Sequence, residues 1–361
     1  MLFGISALIA GCAGERRSYR PAPASAAQTR DLIESSLPRS VTDRAGWAAD
    51  MLSAFNALAV VPTQENICAV IAVIEQESGF RADPVIPGLA AIAWREIDDR
   101  AARAGIPRLM VRGVLELKSP TGRSYGDRID SAKTEKELSD IYEDLIGAVP
   151  TGRTLFADRN PIRTRGPMQV HVAFAEQYSV AKPYPYAVKT SIADEVFTRR
   201  GGVYFGIAHL LDYRAPYDRY LYRFADFNAG QYASRNAAFQ HAVSRASGRP
   251  LVADGALLPH DGAPNAPGST ELAVRSLGPR LEAGDNAIHR ALAQAKTADL
   301  EQNPVYQRVF ALAELSEHRN LPRAAVPNIE LHGPKITHRL TTQWYANRVN
   351  GRFERCLNRQ P

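Results

Sequence analysis

Apolar residues recur along this chain at intervals of three and four, and no segment shows sustained strand-like alternation. Between Val41 and Val60, Trp47, Met51, Phe55 and Leu58 repeat at helical spacing. Thr63 is placed to cap a following helix whose apolar stripe is Ile67, Val70, Ile71 and Ile74. Further helices are expected over Leu89 to Ala104, Thr134 to Ile146, Ser191 to Leu211, and from Arg219 to a stop at Gly230. Thr134 and Glu137 have the spacing of a capping box. Residues 248–269, rich in Pro, Gly, Ala and Asp, read as a loop or linker. Helices resume over Thr270 to Leu300, Val305 to Glu317 and Thr337 to Cys356, the last carrying Leu340, Trp344, Ala346 and Val349. The class expected is mainly α.

With 361 residues and 45% hydrophobic content, the chain can bury a full core in one large domain or two modest ones. A net charge of +6 permits an anionic partner, but the arginines are scattered and form no dense run beside aromatics, which argues against nucleic acid. Leu2 to Ala10 is too short to span a bilayer and has the size of a signal-peptide core. It runs into Leu8-Ile9-Ala10-Gly11-Cys12, which resembles the lipobox of bacterial lipoproteins, although no Lys or Arg precedes the apolar stretch. The resemblance implies a signal segment over 1–12, lipidation at Cys12 and export to the cell envelope. Ala13, in place of an aspartate, favours the outer membrane, facing the periplasm. Residues 13–30 suit a flexible tether, and folded structure is expected from about Asp31. Cys68 and Cys356 remain. An exported compartment permits a disulfide between them, and two buried thiols are the alternative.

Glycosidic cleavage needs a carboxylic acid that delivers a proton to the bridging oxygen. Moving a glutamate from about 4.3 to 6 or 7 takes roughly 3 kcal/mol of differential solvation, so the donor must sit against apolar surface. Glu77 closes the apolar helix and Phe80 follows closely enough to wall it. Glu77 falls about 70° from the centre of the apolar stripe and Glu75 about 90° away on the other side, so periodicity leans toward Glu77 without deciding. The eight histidines form no ligand spacing, His171 being the one placed near a motif, and no metal or cofactor is expected.

Four strings then combine. Glu75-Gln76-Glu77-Ser78-Gly79-Phe80 resembles the catalytic helix of soluble lytic transglycosylases of the lysozyme-like superfamily. Gly166-Pro167-Met168-Gln169-Val170 is similar to their Gly-Leu-Met-Gln turn, Gly201-Gly202-Val203-Tyr204-Phe205 to their Gly-x-x-Tyr-Leu helix, and Asp226-Phe227-Asn228-Ala229-Gly230 to their Ala-Tyr-Asn-Ala-Gly corner. The resemblance covers about Thr63 to Asn236. It implies a lysozyme-like core over 31–247 with a long helical insertion at about 85–160, and a helical extension over 270–361 packing on that core. It also implies that peptidoglycan glycan strands are the partner, with Glu77 as sole catalytic acid and base. Ser78, Met168, Gln169, Tyr204, Phe227 and Asn228 would shape the substrate site, Met168 and Gln169 lining the sugar cleft. The expected reaction is cleavage of the N-acetylmuramic acid to N-acetylglucosamine bond with formation of a 1,6-anhydro ring. A hydrolytic muramidase of goose-lysozyme type and a non-catalytic peptidoglycan-binding lipoprotein are the alternatives. Pro167 stands where the family has leucine. Phe227 stands where it has the tyrosine whose hydroxyl bonds the glutamate, and Tyr204, Tyr220 and Tyr222 are candidates to replace it.

Overall fold

The computed structural model describes residues 25–148, 160–215, 217–259, 266–333, 336 and 338–359. Cys12, the signal segment and most of the tether lie outside these residues. The described chain is mainly helical. Helix α1 (Ala26–Ser36) starts before the expected Asp31 because Ser25 and Gln28 form a capping box. Helix α2 (Arg44–Ala57) and helix α3 (Gln64–Glu77), capped by Thr63, follow.

Eight consecutive residues of α3, Ile67 to Ile74, are fully buried, so the helix is enclosed on all sides instead of presenting one stripe. Its composition permits this, since Cys68, Ala69, Ala72 and Val73 fill the intervening positions. The enclosure is completed from the far end of the chain. Helix α17 (Thr342–Leu357) packs along α3, burying Tyr345, Ala346, Val349, Phe353 and Cys356 in the same core. A disulfide joins Cys68 to Cys356, with Cα atoms 5.5 Å apart.

The segment expected as an insertion comprises α4 (Leu89–Arg103), α5 (Arg108–Leu115), α6 (Tyr125–Ser131) and α7 (Glu135–Gly147) around a small core of Leu115, Tyr125, Ile129 and Ile141. A short hairpin, β1 (Thr164–Arg165) and β2 (Val170–His171), leads into α8 (Val172–Ala181). The single helix expected over Ser191 to Leu211 is two, α9 (Ile192–Glu195) and α10 (Arg199–Leu211), because Thr198 caps a new start with its side chain on the Gly201 amide. Then come α11 (Tyr220–Ala229) and α12 (Ala233–Ser247).

The first unit was expected to end at 247, but α12 buries Ala238, Phe239, Ala242 and Val243 in a second core. That core includes α13 (Ser269–Arg275), α14 (Gly278–Leu281), α15 (Asp285–Leu292) and α16 (Pro304–Glu317). The helix expected over Thr270 to Leu300 breaks at Gly278, Pro279 and Gly284, and ends in 3₁₀ turns over 293–302. A second hairpin, β3 (Glu330–Leu331) with β4 (Leu340–Thr341), returns the chain to α17 and the first core.

Candidate functional site

Helix α3 ends abruptly. The amides of Ser78 and Gly79 both return to the Ile74 carbonyl, and Ser78 Oγ adds a third bond there at 3.1 Å. Gly79 and Phe80 then both take left-handed backbone, at φ +58° and +63°. That conformation is unusual for an aromatic residue and is held by burial. Phe80 turns onto Trp47, edge to face at 5.3 Å. The wall expected beside Glu77 is therefore committed to the core, and Ser78 is a buried helix-ending residue.

Glu77 itself is partly exposed at this terminus. Its Oε1 accepts a hydrogen bond of 2.6 Å from the hydroxyl of Tyr345 on α17. Burial first, then the Glu77 carboxylate, raises the Tyr345 phenol well above its ordinary value, so it stays a neutral donor. The two carboxylates at the C-terminal end of α3 divide their partners. Glu75 is surrounded by Arg352, Arg355 and Arg359, at 3.7, 3.9 and 3.7 Å, and is an ion-pair anchor for the C-terminal helix.

The Gly166–Gln169 turn closes the first hairpin. Gly166 has φ +73°, and a Cβ on it would lie 2.0 Å from the Val196 carbonyl oxygen. The turn rests on a glycine face of α10. A Cβ at Gly202 would meet Pro167 Cδ at 2.3 Å, and one at Gly206 would meet Met168 Sδ at 2.2 Å. Two of the four sequence strings are thus the two sides of one contact. Gly166→Ala should cost about 2–3 kcal/mol, through both the positive φ and the clash, measurable as a lower denaturant midpoint.

Met168 is fully buried over Gly206, so it packs the turn onto α10 and does not line a cleft. Tyr204 is likewise internal, ringed by Tyr178, Tyr184 and Phe205. Gln169 is partly exposed; it accepts from Thr164 Oγ1 at 3.0 Å and donates to Glu135 of the insertion at 3.3 Å. The sugar-facing wall expected of Met168 and Gln169 is thus reduced to the glutamine, whose amide is turned to α7.

Phe227 is buried, with its ring 4.9 Å from that of His209, which also meets Phe174 at 4.6 Å. These surroundings push the His209 imidazole down to about 4, with His171 a smaller cause. A histidine depressed in the folded chain stabilises it above the ordinary pKa of 6.5, and that contribution is lost as pH falls toward 4. Up to about 3 kcal/mol should disappear across that window. His209→Phe should flatten the dependence, as read from urea midpoints at each pH.

Asn228 is exposed at the end of α11 and accepts from Thr342 Oγ1 at 2.9 Å. Thr342 and Tyr345 are one turn apart on α17, so a single helix end reaches both Asn228 and Glu77. Behind it, fully buried Asp226 accepts from the Tyr213 and Tyr217 hydroxyls and from the Tyr232 and Ser234 amides, at 2.6 to 3.0 Å, which fixes the corner. Burial raises the Asp226 carboxyl, and the hydrogen bonds from Tyr217, Ser234 and Tyr213 oppose that shift.

Sequence reasoning missed Tyr345 and Thr342, and gave Asp226 no role beyond its place in the corner string. The hydroxyl that donates to Glu77 is that of Tyr345; Tyr220, a candidate from the sequence, is bound instead to Asn66, at 2.8 Å. The cysteines carried the one usable signal. Glu77 lies about 14 Å along its helix from Cys68, and Tyr345 about 17 Å along its own from Cys356. Two antiparallel helices bridged at 68 and 356 therefore set these side chains opposite each other.

Residues 40–359 match the family described as "Protein of unknown function (DUF1615)". The chain belongs to that family. This DUF1615 member is 48% identical over 350 residues to "Uncharacterized protein YaiW" of Escherichia coli (strain K12), covering 97% of this chain and 95% of that protein. No solved structure matches it. Among the described residues, no helix is long and apolar enough to cross a membrane.

Proposed function

We propose that this DUF1615 member is an envelope lipoprotein that cleaves peptidoglycan as a lytic transglycosylase, with Glu77 as its single acid and base on a lysozyme-like helical core. The observation that carries the reading is the 2.6 Å contact from Tyr345 to Glu77, which supplies the hydroxyl that the Phe227 departure left missing. The tyrosine holds the carboxyl group in one orientation. Its hydroxyl can donate to the carboxylate or accept from the protonated acid, so one partner serves both halves of the reaction. Glu77 would first protonate the oxygen between N-acetylmuramic acid and N-acetylglucosamine. It would then take the proton of the muramic C6 hydroxyl as that oxygen attacks C1 and closes the anhydro ring. The substrate's acetamido carbonyl can support the anomeric centre, so no second carboxylate is required. Glu75, held by three arginines, is not available for that role.

Incubation with purified sacculi followed by mass spectrometry of the released muropeptides tests the reading. Anhydro-ended products are expected. Reducing-end products would indicate a hydrolase of the same site, and cosedimentation without release would indicate a binding protein.

A further inference from the structure

The insertion carries an apolar surface for which the core has no use. Among the described residues thirteen large apolar side chains are exposed, and five of them, Ile106, Leu109, Met110, Val114 and Leu117, fall between 106 and 117. Leu109 is 85% exposed and Met110 63%. Helix α5 turns Leu115 and Val111 inward onto the insertion core, so its apolar demand is already met on one face. Leu109, Met110 and Val114 lie around the opposite face, with Gly113 between them adding no bulk. Three exposed large apolar side chains on one eight-residue helix, followed by exposed Leu117, are grouped and not scattered singly, as at contact sites.

Charge indicates what it contacts. The segment 103–118 carries Arg103, Arg108, Arg112 and Lys118 against Glu116. Asp98 bridges Arg108 at 2.6 Å and Arg112 at 3.1 Å, and Arg112 also stacks on Trp94 at 3.6 Å, which leaves an excess of positive charge around the rim. The face is aliphatic and lacks the aromatic anchors set in pockets that dominate protein interfaces. An aliphatic face with a basic rim is the pattern of a helix lying in an anionic lipid surface. We propose that residues 106–117 form a membrane-contact face, with Leu109, Met110, Val114 and Leu117 in the acyl boundary of an anionic bilayer and Arg103, Arg108 and Lys118 at its headgroups.

The test uses Met110→Trp in the full chain and adds vesicles whose lipids carry brominated acyl chains. One set is made of phosphatidylglycerol and phosphatidylethanolamine in equal parts, the other of phosphatidylcholine alone. Quenching at position 110 reports local insertion however the N-terminus attaches, and the wild type supplies the background from Trp47, Trp94 and Trp344. The expected result is quenching by the anionic vesicles alone, weakened by salt and cut about a hundredfold in lipid affinity by adding Leu109→Asp and Val114→Asp. Val180→Trp, 90% exposed on α8, should stay unquenched. Absence of quenching at 110 overturns the proposal. So does equal quenching by both vesicle types, or a concentration-dependent dimer without quenching that the aspartates abolish.

Discussion

Replacing Cys68 and Cys356 together by serine is expected to lower stability by about 2–5 kcal/mol, the usual worth of a native disulfide. The loop it closes spans 288 residues, so the unfolded chain regains a great deal of freedom when the bridge is lost. The consequence extends beyond stability, because α17 carries Tyr345 to Glu77 and Thr342 to Asn228. Tyr345, Ala346, Val349 and Phe353 still hold that helix to the core, so the double variant should fold. Its C-terminal helix should open more often, with faster amide exchange over 342–357 than over α11, and with lower sacculus cleavage. A reducing agent should reproduce both effects in the wild type and neither in the double variant. Unchanged unfolding midpoints under reductant would contradict this account of the bridge.

The second large effect is on turnover. Glu77→Gln keeps the shape and an acceptor for Tyr345 but removes the transferable proton, so release of muropeptides should fall by about 10²–10⁴-fold, the usual contribution of a positioned acid and base. Tyr345→Phe leaves the carboxyl in place without its orienting hydroxyl. Its loss should be smaller, about tenfold, with a stability cost of about 1 kcal/mol for the broken hydrogen bond. Glu75→Gln weakens the anchoring of α17 and should change stability more than turnover, which separates the two carboxylates experimentally.

Much of this fold was legible in the chain. Thr63, Thr134 and Gly230 are a start, a start and a stop that act locally, through side-chain or backbone bonds a few residues away, and the observed helices obey them. The helical stripes were legible for the same reason. What periodicity could not give was the enclosure of α3, because a stripe says which face is buried and not whether a helix from the far end of the chain covers the others. Met168 shows the same limit. A methionine in a turn reads equally as cleft wall or packing, and only the absent Cβ of Gly206 decides for packing. The donor to Glu77 was not legible because Tyr345 lies on α17, outside the stretch the resemblance covers. The packing of α12 was hidden for a related reason: it has an apolar face, but its partners in α13 and α16 are distant in sequence.

The most direct test of the central claim is dye release from labelled sacculi by wild type, Glu77→Gln and Tyr345→Phe, compared at equal folded concentration. The account predicts turnover by the wild type, reduced turnover by Tyr345→Phe and none above background by Glu77→Gln. Cleavage by Glu77→Gln at the wild-type rate would contradict it.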